Sequence, residues 1–180
     1  MTGRTACTVR DRPGSDRSDP VLVEVLICGS PDRGDDGAGP AAATILAAVL
    51  PDEVGLRIVG QLDIEDLLAI PTEAATVIVD AATGIRPGRI VSLPLEDLTG
   101  EDDPVRPRSS HALAISEVLG LAELLRGRPL RGRIVAVGAE DFRLGQALSE
   151  PVAGAIPALV EGVREAIEQL REVSPSRTAG

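Results

Sequence analysis

The sequence is nearly free of aromatic side chains: it has one Phe, and neither Trp nor Tyr, among 180 residues. Aromatic residues therefore cannot fill the core. Hydrophobic residues nevertheless make up 43% of the chain, so Ala, Val, Leu and Ile must do the packing. This composition suits layers of helices against a sheet. The length is typical of one domain with a sizeable core.

Cysteine is also scarce, with only Cys7 and Cys28 in the chain. Two cysteines are too few for a disulfide framework and fit a reducing cytoplasm. Residues 1–19 lack the apolar segment of a signal peptide. The apolar run of residues 41–50 is about half as long as a membrane span requires. We therefore expect a cytoplasmic protein.

Basic residues are fewer than acidic ones: the sequence has 18 Lys and Arg and 28 Asp and Glu, which gives a net charge of −10. Nucleic acids and anionic membranes repel such a surface, so neither is expected as a partner. A basic or neutral protein remains open as a partner.

Several common catalytic motifs are missing from the sequence. It has no His-Glu-x-x-His helix of a conventional zinc protease. It has no glycine-flanked serine elbow, and Cys28 lies too deep in a predicted strand to be an obvious nucleophile. Neither the dinucleotide fingerprint nor the P-loop spacing occurs.

The most informative stretch is residues 22–40, which reads as a buried strand, a glycine-rich loop and the start of a helix. The loop carries the adjacent carboxylates Asp35 and Asp36. Carboxylates on such a loop repel phosphate and suit a cation instead. The alternative is that one of them only caps the helix and offsets its dipole. Both interpretations are open at this point.

Apolar runs and turn residues predict alternating strands and helices along the rest of the chain. The fold class is α/β: a three-layer sandwich with a mainly parallel twisted sheet and helices on both faces. We expect a disordered tail over residues 1–19, a single domain over 20–173 and a flexible tail over 174–180. The predicted strands are 21–28, 54–59, 75–79, 88–93 and 133–137; the predicted helices are 41–50, 64–70, 111–125 and 149–173.

Three polar residues fall where this fold delivers them to one edge of the sheet. Asp36 follows the first strand, Asp80 ends the third, and His111 is the only histidine. Two carboxylates and an imidazole suit a borderline divalent ion such as nickel or zinc. The alternatives are that Asp80 is a turn former and that His111 is a surface or packing residue.

The loop of residues 29–39 (Gly-Ser-Pro-Asp-Arg-Gly-Asp-Asp-Gly-Ala-Gly) resembles the opening motif of the hydrogenase maturation endopeptidases. Residues 77–81 (Val-Ile-Val-Asp-Ala) and 109–113 (Ser-Ser-His-Ala-Leu) resemble the second and third motifs of that family. Residues 135–140 and 145–152 are similar to its last strand, loop and helix start. The resemblance covers residues 21–170 in the right order and implies a phosphorylase/hydrolase-like fold.

The resemblance implies an endopeptidase that removes the C-terminal extension of a nickel-iron hydrogenase large-subunit precursor after nickel insertion. The family's metal-contacting positions fall on Asp36, Asp80 and His111, which are also the implied catalytic residues. The metal is nickel supplied by the precursor, and other divalent ions can substitute for it. The precursor is the implied partner.

The sequence also departs from the family pattern. Ser30 and Pro31 stand where an Asn and an apolar residue are common, and the loop of residues 96–108 is long. Two other functions stay open: a nickel-sensing chaperone that does not cut, and a metal-independent protease in which Asp36 and Asp80 share a proton. Phe142 is expected to be a packing residue.

Overall fold

The computed structural model describes residues 7–8, 23–98, 108–109 and 115–172. Cys7–Thr8, inside the predicted N-terminal tail, forms a short strand that pairs with an edge strand of the sheet. Edge strands offer unpaired backbone groups, so even two residues can pair there. The rest of that segment and residues 174–180 lie outside the described residues.

Seven strands in the described residues form one sheet. The strands are β1 (Cys7–Thr8), β2 (Val23–Cys28), β3 (Val54–Gly60), β4 (Ala75–Thr83), β5 (Ile90–Pro94), β6 (Arg108–Ser109) and β7 (Gly132–Gly138). Their order across the sheet is β1-β3-β2-β4-β7-β5, and β6 pairs with β4 beside that path. The central pairs β2–β3, β2–β4 and β4–β7 are parallel, whereas β1, β5 and β6 are antiparallel to their neighbours. The predicted mainly parallel sheet is therefore confirmed.

Helices cover both faces of the sheet, as predicted. The helices are α1 (Ala38–Val49), α2 (Ile64–Leu68), α3 (Ile115–Arg126) and α4 (Glu150–Glu172), with 3-10 turns at Gly34–Gly37 and Leu95–Leu98. Alternate residues of β2 point to opposite faces, with Val25 and Ile27 in one core and Leu26 and Cys28 in the other. The first core includes α1 and α4, and the second includes α3 and the short α2.

Local sequence signals explain several of the helix ends. Asp63 caps α2, and its side chain forms a reciprocal capping box with Asp66. Pro40 lies in the first turn of α1, where its missing N–H removes no helical hydrogen bond. Gly127, with a φ of 68°, follows α3 directly. The predicted first residues of α3, 111–114, lie outside the described residues.

Among the boundaries that the structure describes, two differ from the sequence-based prediction by three residues or more. α1 begins at Ala38, earlier than predicted, because the 3-10 turn Gly34–Gly37 leads directly into it. β4 continues to Thr83 because β7 and β6 both pair with its last residues. In the described part of the chain, no helix combines the length and apolar character needed to cross a membrane.

Candidate active site

The glycine-rich loop after β2 folds back tightly over the end of that strand. Gly29 has a φ of 105°, and its N–H donates a 2.7 Å hydrogen bond to the carbonyl of Gly60. A side chain at Gly29 would collide with the backbone carbonyl of Asp36. Only glycine tolerates both the positive φ and the close approach of the Asp36 carbonyl, so Gly29 allows Asp36 to lie close to the end of β2.

Asp35 anchors this loop to the loop between β7 and α4. Its side chain is fully buried. One carboxylate oxygen accepts from the N–H of Ser149 at 2.7 Å, and the other accepts from Glu140 and Asp141 at 3.1 Å each. Burial alone would raise the pKa of Asp35, but these hydrogen bonds outweigh it and lower the pKa. Asp35 is therefore an ionised structural residue.

Backbone contacts make the same connection between the two loops. The N–H of Asp35 donates to the carbonyl of Asp141 at 2.7 Å, and Gly145 donates to Asp32 at 2.7 Å. A side chain at Gly34, whose φ is 57°, would collide with the carbonyl of Asp141. Sequence reasoning missed this connection, although the resemblance did include the segments around this loop.

Asp36 points in a different direction from Asp35. Its side chain is 4% exposed, and its Oδ2 accepts a 2.9 Å hydrogen bond from the N–H of Ser30. This contact holds the carboxylate over the start of the loop, at the carboxyl end of β2. That edge is where α/β sheets place their ligands.

Asp80 lies inside β4 rather than at its end, which corrects the sequence-based placement. Three more strand residues follow it, because β7 and β6 continue the ladder. Its neighbours Val79 and Ala81 belong to the core of α1 and α4, so Asp80 faces the side of α2 and α3. It is 1% exposed.

Both predicted carboxylates influence the thiol of Cys28, and so does Asp66. Burial raises the pKa of the Cys28 thiol well above its usual range, and the charges of Asp80, Asp66 and Asp36 raise it further. Asp36 and Asp80 therefore act electrostatically on the same atom at the end of β2. The same pKa shift keeps the thiol protonated, which agrees with the expectation that Cys28 is not the nucleophile.

His111, the third predicted ligand, lies outside the described residues. The described residues alone contain no group of three or more His, Cys, Asp or Glu side chains able to hold a metal ion. The segment leading toward His111 is placed by β6, in which Ser109 pairs with Ala82 of β4. Phe142 is half-buried and packs against the core of α1 and α4, as expected.

Comparison with solved structures finds several hydrogenase maturation proteases. A [NiFe] hydrogenase maturation protease, HybD from Thermococcus kodakarensis, is 26% identical with a TM-score of 0.63; the match covers 80% of this chain and 97% of that protein. The hydrogenase maturating endopeptidase HybD from E. coli is 22% identical with a TM-score of 0.65, covering 82% and 93%. The maturation protease HycI from Thermococcus kodakarensis is 21% identical with a TM-score of 0.61, covering 84% and 96%.

No protein-family model and no curated protein matches the sequence. The structural likenesses confirm the predicted fold class and the resemblance read from the motifs. They leave the roles of individual residues as predictions.

Proposed function

We propose that this chain, a peptide hydrolase related to the hydrogenase maturation proteases, removes the C-terminal extension of a nickel-iron hydrogenase large-subunit precursor. In this proposal the chain acts after nickel insertion and recognises the bound nickel through Asp36, Asp80 and His111. The precursor is both substrate and partner, and the compartment is the cytoplasm.

The observation that supports the proposal is the placement of Asp36 and Asp80 on neighbouring strands: Ile27 of β2 pairs with Val79 of β4, next to Asp80, and Asp36 accepts from Ser30 just beyond β2. Both carboxylates are almost fully buried, at 4% and 1% exposure. Carboxylate oxygens and an imidazole are suitable ligands for a nickel ion brought by the precursor.

The short strand β6 ends two residues before His111 in the sequence. Its Ser109 pairs with Ala82 of β4, two residues beyond Asp80. The proposal therefore assigns His111 as the ligand that joins Asp80 in binding one ion.

The proposed mechanism assigns the three residues as ligands of the precursor's nickel. Their binding would orient the segment to be cut, and a nickel ion held by these residues would supply the positive charge that polarises the scissile carbonyl or a water molecule. Asp35 and the loop between β7 and α4 hold Asp36 in place during this step. The protonated, buried Cys28 takes no part in the chemistry.

The decisive experiment incubates the protein with a candidate large-subunit precursor, with and without nickel, and measures the mass of the precursor's C-terminus. Loss of the C-terminal peptide only from the nickel-loaded precursor supports the proposal. Cutting without nickel, with an acid optimum, favours a carboxylate protease instead. Binding of the nickel-loaded precursor without any cleavage favours a chaperone.

A further inference from the structure

A groove of about 470 Å³ lies between the turn of residues 86–89 and the first turns of α4. Arg86 and Arg89 stand on one side of it, and Gly154 and Ala158 of α4 lie on the other. None of the residues that line it is acidic. We refer to it as the arginine groove.

The turn that carries the two arginines is rigidly held. The N–H of Arg89 donates to the carbonyl of Arg86 at 3.0 Å, with Pro87 and Gly88 between them. Gly88 has a φ of 78°, so this is the sequence and geometry of a type II turn. Gly138 then exchanges backbone hydrogen bonds of 2.9 and 2.8 Å with Gly88 and Arg89. The Cα atoms of Arg86 and Arg89 therefore stay within about 7 Å of each other.

Neither guanidinium group is neutralised by the described part of the protein. Other described arginines are engaged, for example Arg57 with Glu24 and Arg143 with Asp141. Arg86 and Arg89 make no side-chain hydrogen bond or ion pair with any described residue. Two neighbouring cations thus remain available to an outside anion, in a chain whose net charge is −10.

We propose that the arginine groove binds an acidic segment of the protein substrate in extended conformation, with carboxylates paired to Arg86 and Arg89. Guanidinium groups bind carboxylates in bidentate geometry, and the small residues Gly154 and Ala158 leave room for a peptide backbone. The turn follows β4, the strand that carries Asp80, so the groove adjoins the same edge of the sheet. This inference rests on the proposed function, because it assumes a peptide substrate.

The first test measures binding by fluorescence anisotropy at low ionic strength, where charge pairing is least screened. The probe is a fluorescein-labelled, C-terminally amidated pentaglutamate peptide, and pentaglutamine is the neutral comparison. The double variant Arg86→Gln/Arg89→Gln should bind pentaglutamate about tenfold more weakly, since two exposed ion pairs together are worth roughly that factor. The control Arg164→Gln/Arg171→Gln, with the same charge change toward the other end of α4, should bind like wild type.

Unchanged pentaglutamate affinity in the Arg86→Gln/Arg89→Gln variant would overturn the inference. Equal binding of pentaglutamine would overturn it as well, because it would show that charge is not recognised. Displacement of pentaglutamate by inorganic phosphate at lower concentration than by acetate would identify a phosphate site instead.

A second variant blocks the groove without changing any charge. A Cβ at Gly154 meets open space, so Gly154→Leu should fold and fill the groove. Gly120→Leu on α3 is the matched control, since a Cβ at Gly120 also meets open space. Gly154→Leu should lose pentaglutamate binding while its melting temperature equals or exceeds that of wild type. Wild-type binding by Gly154→Leu would place the peptide elsewhere.

The chain's own acidic residues Glu101, Asp102 and Asp103 are the competing occupant. Tighter pentaglutamate binding after Glu101→Gln/Asp102→Asn/Asp103→Asn would show that these acidic residues compete with the peptide for the arginine groove. That result would contradict the assignment of the groove to a substrate segment. An unchanged affinity of this variant for pentaglutamate would support an acidic substrate segment as the occupant of the groove.

These measurements are independent of cleavage, so they separate the groove from the catalytic proposal. If the protein binds pentaglutamate through Arg86 and Arg89 but never cuts a precursor, the proposed protease activity is contradicted and the arginine groove remains supported. If it cuts, Arg86→Gln/Arg89→Gln should raise KM for the precursor and leave kcat unchanged. An unchanged KM would contradict substrate binding in the arginine groove and leave the proposed protease activity intact.

Discussion

The carboxylate of Asp35 accepts a 2.7 Å hydrogen bond from the backbone N–H of Ser149, which lies 114 positions later in the chain. This contact joins the glycine-rich loop after β2 to the residue that precedes α4. Because Asp36 is the next residue, the position of a proposed ligand depends on a contact made by its neighbour. Asp35 therefore acts as a positioning residue.

Asp35→Asn should lower the free energy of unfolding at pH 7 by about 1–3 kcal/mol, because an amide replaces a buried carboxylate that accepts from backbone N–H groups. Asp32→Asn, an exposed change in the same loop, should cost less than about 0.5 kcal/mol. Urea unfolding at pH 7 measures both. Equal stability of the two variants would contradict the anchoring role.

The cost of Asp35→Asn should also depend on pH. The pKa of Asp35 is lowered from 3.8, so its ionisation stabilises the fold fully above that value. This stabilisation disappears as the pH falls through the lower pKa of the folded state. The amide in the variant stays neutral at every pH, so the stability gap should narrow in acid unfolding below pH 3.8. A gap that does not narrow would mean that Asp35 is not ionised in the fold.

Asp36→Asn and Asp80→Asn should each weaken nickel binding by about tenfold or more, since even disturbing the surroundings of metal ligands costs that much. Isothermal titration with the nickel-loaded precursor, or with nickel alone, measures the change. Asp32→Asn again serves as the control, because it removes an exposed carboxylate from the same loop. The carboxylate of Asp36 accepts from Ser30 and does not cap α1, whose N-cap Gly37 has no side-chain cap; unchanged affinity in both variants would therefore remove both carboxylates from the proposed metal site.

His111→Ala should abolish processing of a nickel-loaded precursor and leave the fold intact. Mass spectrometry of the precursor's C-terminus measures processing, and circular dichroism checks the fold. Partial rescue by added imidazole would support a ligand role over a packing role. Processing at the normal rate would remove His111 from the mechanism.

The order of strands and helices was predictable because each apolar run is bounded by a strong turn signal. Asp63 before α2 and Gly127 after α3 are examples, and the structure confirms both ends. The glycine-rich loop was equally clear, because only glycine reconciles a positive φ with a close approach to Asp36.

The contacts that hold the candidate site in place were not predictable from the sequence, because they join residues that lie far apart in the chain. The extension of β4 past Asp80 requires the pairing of β6 and β7, which no local pattern encodes. The hydrogen bonds from the N–H groups of Glu140 and Asp141 to the Asp35 carboxylate link two loops. The sequence of each loop alone predicts only a turn. Likewise, β1 forms only because β3 leaves an open edge.

Cys28→Ala should leave the rate of precursor processing within about twofold of wild type, because a buried thiol with a raised pKa is not a nucleophile. A modest loss of stability, about 1 kcal/mol, is expected from the lost packing atom. The processing assay and urea unfolding measure the two effects. Abolished processing in a folded variant would reopen a thiol mechanism.

Arg57 is the centre of a mostly buried charge network on the face of the sheet that carries Asp80. Its Nε donates to Glu24 at 2.7 Å, and its guanidinium also donates to the carbonyl of Asp66 at 3.0 Å. The side chains of Arg57 and Glu24 are only 18% and 12% exposed. Gly55 makes room for this pair, because a side chain there would collide with the Glu24 carboxylate.

Arg57→Leu should therefore lower the free energy of unfolding by about 3–5 kcal/mol, since it leaves Glu24 charged, buried and without its partner. Arg164→Leu is the control: its ion pair with Glu161 is exposed and should contribute less than about 0.5 kcal/mol. Adding Glu24→Leu to Arg57→Leu should restore part of the loss, because the uncompensated charge is then removed. Urea unfolding of the three variants decides the point. Equal costs for Arg57→Leu and Arg164→Leu would show that the buried network contributes no more than a surface pair.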